Sequence, residues 1–184
     1  MTQEESRPIN LAEYAALRSE ITTFLALQVQ FINYSVVLGS AIAGLFIKNP
    51  TFDVAAFFPL PFLIFGLLYG DAKARILRAA HYIHVKLRPT LIDPAHEPLL
   101  RWEIFIREEP DLKLVLSVGE KLRWALFLLP LAVSIIYLIL GKPVPPQHGP
   151  LVGFLFTVDF ILFVLFLWTA RELDKYEKDL LHEK

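Results

Sequence analysis

The run from Leu151 to Trp168, LVGFLFTVDFILFVLFLW, limits most sharply what this chain can become. It carries large apolar side chains over about the ~20 helical residues needed to cross a bilayer core. One acid, Asp159, interrupts it. At ~1.5 Å of rise per residue, Asp159 falls ~13 Å from the Pro150 end, close to mid-membrane. A carboxylate at that depth is costly unless it is paired, wetted or protonated. The chain is expected to be arranged around this segment.

Composition agrees. The 184 residues are 55% hydrophobic, with mean hydropathy +0.48, more apolar than a soluble domain, which averages about 45–50%. Without cysteine, disulfides, zinc–thiolate sites and thiol catalysis are excluded. A net charge of -1 gives no nucleic-acid signature. The start, MTQEESRPIN, is acidic and broken by Pro8, so no cleaved signal peptide is expected.

Four apolar segments can each make one crossing, at about 21–47, 54–70, 122–140 and 151–168, and helices are the open-chain solution in lipid. The first helix is expected to begin near Leu11, behind an Asn10–Glu13 capping box, and to run to Ile47. Ser40 and Gly44 form a small-xxx-small pair that permits close helix approach. The second segment enters through Pro59 and Pro61, where a kink is expected, and continues past Gly70 to about Leu87. Leu99–Glu108 reads as a short amphipathic helix ended by Pro110. Ser117 and Glu120 read as a capping box for the third crossing, which Pro130 bends. The 141–150 stretch is a Pro-rich turn. The fourth helix runs on past Trp168 as an apolar stripe of Leu173, Tyr176 and Leu180.

Of the eighteen lysines and arginines, only Lys48 and Lys142 fall on one side of this arrangement. The positive-inside rule therefore puts both termini and the long middle loop in the cytoplasm. Tyr69, Trp124 and Trp168 then share the inner interface, as an aromatic belt requires. The expected fold is a single all-α membrane domain over 1–184. Four transmembrane helices run N-in and C-in, and helices one, two and four extend into a cytoplasmic layer built from 10–22, 71–121 and 169–184.

Two sets of residues are candidates for function. The first is a pore or interhelical polar site: Asp159 with Ser35, Ser40, Ser134 and Tyr137 at similar depth, and Gln28, Gln30 and Asn33 on the inner half of the first helix. An acid facing water would serve a cation or proton path; an acid bonded to a neighbouring hydroxyl would only tie helices together. Gln28 and Ser35 share one face, and Gln30, Asn33 and Tyr34 another. The second set is basic: Lys73, Arg75, Arg78, Lys86, Arg88, Arg101 and Arg107. It suits an anionic ligand or lipid, although topology alone also accounts for such charges. His81 and His84 lack a third ligand spaced to join them, so no metal is expected. No phosphate loop, nucleophile elbow or HExxH occurs, and neither an enzyme nor a cofactor is expected.

The segments EYAALRSEI at 13–21, FPLPFLIFGLLYGDAKARILRAAHYIHVKL at 58–87 and LLRWEIFIRE at 99–108 resemble a family of small multi-pass bacterial membrane proteins. The resemblance implies a bacterial inner membrane. Some small membrane proteins of this general kind are encoded beside antiviral signalling genes, which brings in a membrane-disrupting defence effector. Two functions stay open. One is a homo-oligomer that meets along helix one and encloses an ion path gated from the cytoplasmic layer. The other is a non-conducting anchored module that docks a cytoplasmic protein or a nucleotide-like, anionic ligand.

Overall fold

The computed structural model describes residues 3–48, 51–91, 110–140 and 149–182. Among these, all regular structure is helical: α1 (Gln3–Lys48), α2 (Phe52–Phe57), α3 (Pro59–Tyr82), a π-helical turn (Ile83–Leu87) leading into α4 (Arg88–Leu91), α5 (Pro110–Leu140) and α6 (Gly149–His182). Four stretches are long and apolar enough to cross a membrane: Pro8–Lys48, Asp53–Leu87, Lys121–Leu140 and Gly149–Lys175.

The centre of the bundle is α3, not α6. Half of the apolar window in the second crossing is buried, against 17% in each of the other three. Helix α1 lies antiparallel along α3, so that Gln28 meets Tyr69 and Glu13 meets Tyr82. Helix α5 is also antiparallel, with Arg123 at Tyr69 and Ser134 at Ala55. Helix α6 runs parallel, with Phe166 beside Gly66 and Thr169 beside Gly70.

Small residues on α3 and its neighbours explain the arrangement. A Cβ on Gly66 would lie 2.6 Å from the Phe166 ring and 3.1 Å from Phe127 Cγ. A Cβ on Gly39 of α1 would overlap the Phe62 ring. Lipid tails are as apolar as leucine, so hydrophobicity does not select which helices touch; close packing does. The aromatic cluster of Tyr69, Phe127 and Phe166 is almost fully buried against α3. Trp124 meets Phe166 edge-on at 4.9 Å and Tyr69 at 5.6 Å. Edge-to-face pairs of this kind add about 0.5–1.5 kcal/mol beyond area burial.

Several expected boundaries move. Asn10 and Glu13 do not cap α1, which already runs from Gln3. They reach across to the α3 side instead: the Asn10 amide donates to Thr90 Oγ1 at 3.2 Å, and Glu13 accepts from the Tyr82 hydroxyl at 2.9 Å. Pro8 is tolerated so near the helix start because little of the backbone ladder precedes it. Ser117 and Glu120 likewise lie inside α5, which begins at Pro110; proline suits a first helical position because its missing N–H has no partner to lose. The chain passes through Pro130 without ending α5. The break at the second crossing falls at Phe58, between α2 and α3, where Pro59 cannot donate into the ladder. Thr51 caps α2, its hydroxyl accepting from the Val54 N–H at 3.4 Å.

The second-crossing extension widens into the π turn at Ile83–Leu87 and is described through Leu91. The cause is Pro89, whose ring would press on the carbonyl four residues back, that of Val85, in a regular α-helix. The extensions of α1 and α3 pack together, as the Asn10 and Glu13 bonds show. That of α6 joins through Leu173, which is buried near Gly70. The amphipathic helix expected at 99–108 and residues 141–148 of the expected 141–150 turn lie outside the described residues; Gly149 and Pro150, expected in that turn, instead open α6.

Candidate functional site

The expected polar set divides into an inward and an outward group. Asp159 is 1% exposed, and neither carboxylate oxygen has a hydrogen-bond partner among the described residues. The α3–α6 register sets it level with Pro59, at the α2–α3 break. Ala55, Ala56 and Pro59 are buried in that region, and α2 packs on α6.

None of the hydroxyls proposed to satisfy the acid bonds to it. Ser134 is buried, but its hydroxyl donates to the Ala55 carbonyl at 2.5 Å. Ser35 is also buried, and donates to the Phe31 carbonyl of its own helix at 2.8 Å. Ser40 is exposed and donates to the Val37 carbonyl at 2.9 Å. Such back-bonding satisfies a hydroxyl without a second helix. Tyr137 is half-buried, with its ring edge-on to Phe46 at 4.8 Å. An apolar hollow of about 370 Å³ between α1 and α5 has Ser40, Ser134 and Tyr137 among its lining residues.

Gln28 belongs with the inward group. It is buried, and its amide reaches the Tyr69 carbonyl at 3.5 Å, a long bond. Gln30 and Asn33 face outward, fully on the exposed side of α1, and neither side chain has a hydrogen bond among the described residues. Hydrocarbon offers an amide no partner, so each is unfavourable there until another chain or water supplies one.

These two amides belong to a pattern that the sequence reading missed. Ala12, Ala16, Ser19, Thr23, Ala26, Gln30, Asn33, Val37, Ser40 and Gly44 alternate at spacings of four and three, and all are exposed. Spacings of this kind average 3.5 and make the straight seam along which helices supercoil. Apart from Val37, each residue is small or polar, the composition of helix–helix contacts in membranes. The spacing was legible in the sequence. Hydropathy hid it, because alanine and valine register as ordinary apolar positions, and only burial separates this seam from the face packed on α3.

The basic set does not converge. Lys73 and Arg75 lie roughly 160° apart around α3, at 100° per residue. Arg75 donates to Asp71 at 3.0 Å and stands over the Phe24 ring at 5.4 Å. Arg78 and Lys86 are exposed; the Arg88 side chain, Arg101 and Arg107 lie outside what is described. No family model, curated protein or solved structure matches the chain, so any reading of function rests on this geometry.

Proposed function

We propose that the protein is a homo-oligomeric channel of a bacterial inner membrane whose subunits meet along the outward seam of α1. In a ring of copies the seam turns to the axis, its small residues let neighbouring helices close up, and Gln30 and Asn33 line a hydrated path for ions. The paired extensions of α1 and α3 are suited to act as the cytoplasmic gate. A role as a membrane-permeabilising defence effector fits such a path. One observation carries this reading: two exposed amides, without a hydrogen bond among the described residues, on a seam of small residues inside a membrane span.

The test combines oligomeric state in detergent with single-channel current in a planar bilayer. Replacing Gln30 and Asn33 together by leucine should weaken assembly by about 1 kcal/mol per amide and abolish current. Normal assembly and normal current in that variant would remove the reading.

A second reading, a non-conducting docking module for a cytoplasmic protein or anionic ligand, is favoured by Asp159, which is turned into the protomer rather than toward the seam. A closed dimer, seam on seam and without current, is its expected result.

The orientation that goes with the proposal has both termini inside. Cysteines placed singly at Lys48 and Gln147 should react with an impermeant thiol reagent applied to intact cells, and cysteines at Glu97 and Glu183 should not. Labelling at Glu97 from outside would invert the orientation.

A further inference from the structure

Away from the α1 seam, α3 and α6 enclose a second hollow. The two helices touch at Gly70, where an added Cβ would lie 2.9 Å from Thr169 Cγ2, and beside that contact they leave a cleft of about 550 Å³. This is within the ~300–1,000 Å³ of ordinary small-molecule sites. Its walls change character along its length. Leu67 and Trp168 line one end; Asp71, Arg78, Glu172 and Lys175 line the other. Leu67 and Arg78 are ~16 Å apart along α3 at ~1.5 Å per residue. Tryptophan concentrates at the membrane–water boundary, so the apolar end opens to lipid and the charged end to water. The hollow has the polarity of an amphiphile.

The charges narrow the ligand further. Asp71 is held by Arg75. Arg78, Lys175 and Glu172 have no ion-pair partner among the described residues. Two cations suit a phosphate. The positive-inside rule accounts for the cations but not for a carboxylate set among them, and Glu172 suits a cation on the ligand. A primary ammonium can donate N–H bonds to Glu172, whereas a quaternary one cannot. A phosphoglycerol headgroup carries no cation at all.

The geometry points to a binding site for one phospholipid with a phosphoethanolamine headgroup: phosphate on Arg78 and Lys175, ammonium on Glu172, and the acyl-bearing end past Trp168. This site does not depend on the channel reading, and its assay reads lipid rather than current or subunit number.

The test uses the full chain in nanodiscs of phosphatidylcholine doped with either phosphatidylethanolamine or phosphatidylglycerol, with retained lipid counted by native mass spectrometry. Phosphatidylethanolamine should be retained about tenfold over the other two, the discrimination given by one charge-assisted hydrogen bond. Glu172→Gln should erase that preference while lipid is still retained. Arg78→Gln combined with Lys175→Gln should release it; all three side chains are exposed, so the variants should fold. Excess soluble O-phosphoethanolamine should not displace the lipid, since it lacks the apolar end. Equal retention of the three lipids, a preference that survives Glu172→Gln, or displacement by the soluble compound would each overturn the assignment.

Discussion

Gly66→Leu is expected to destabilise the bundle by about 3 kcal/mol, the upper range for overpacking. Even the first added carbon would lie 2.6 Å from Phe166 Cε2 and 3.1 Å from Phe127 Cγ. The Phe166 ring edge can swing a little, but Phe127 Cγ is the root of its ring and moves only if χ1 turns, which carries the whole buried ring with it. Both rings are essentially fully buried. The leucine would therefore push α5 and α6 away from α3 together. Reversible unfolding in mixed micelles, followed by tryptophan fluorescence, measures the effect. Gly153 is the control, since a Cβ there meets nothing within 4 Å. Gly153→Ala should be neutral or gain up to about 1 kcal/mol from helix propensity. Equal stability of Gly66→Leu and the wild type would mean that the three helices do not converge on Gly66.

Asp159→Leu is expected to stabilise the fold by about 1–3 kcal/mol, because it removes a buried carboxyl group without a hydrogen-bond partner among the described residues and fills the space with hydrocarbon. Asp159→Asn leaves polar atoms in the same place and should change stability little. The same unfolding assay reads both. An acid retained at such a cost within a membrane span points to use rather than to architecture. The leucine variant should therefore fold better and lose whatever function the acid serves inside the protomer. The opposite result, a loss of ~1–2 kcal/mol on Asp159→Leu, would show that the carboxyl is bonded and ties helices together.

The crossings were legible residue by residue: the run holding Asp159, the aromatic-proline entry at 58–61 and the helical continuation past Gly70 all follow from side-chain chemistry and helical period. The sorting of polar residues on α1 was legible too, since Gln28 and Ser35 sit one hundred degrees or more from Gln30 and Asn33 around the same helix. The π turn before Pro89 and the cross-helix role of Asn10 and Glu13 were not. A capping motif and a cross-helix bond use the same side chains, and only the presence of Tyr82 and Thr90 opposite them chooses between the two.

By itself, then, the sequence determined that this is an all-helical chain with four segments fit for a bilayer, because insertion is set by hydropathy summed along each segment. It could not determine which of the four is central. The most apolar segment turned out to be peripheral, and α3 took the centre through Gly66, Gly70 and its small neighbours, because between lipid and helix apolar surface gains nothing and close contact gains dispersion energy. Tertiary structure also decided the fate of the polar residues. Depth along the chain put Ser40, Ser134 and Asp159 at one level, but level is not direction. The hydroxyls turned to backbone carbonyls, the acid turned inward, and Gln30 and Asn33 were left facing out, because side-chain direction depends on how each helix is rotated against α3, a rotation set by packing between residues far apart in the chain.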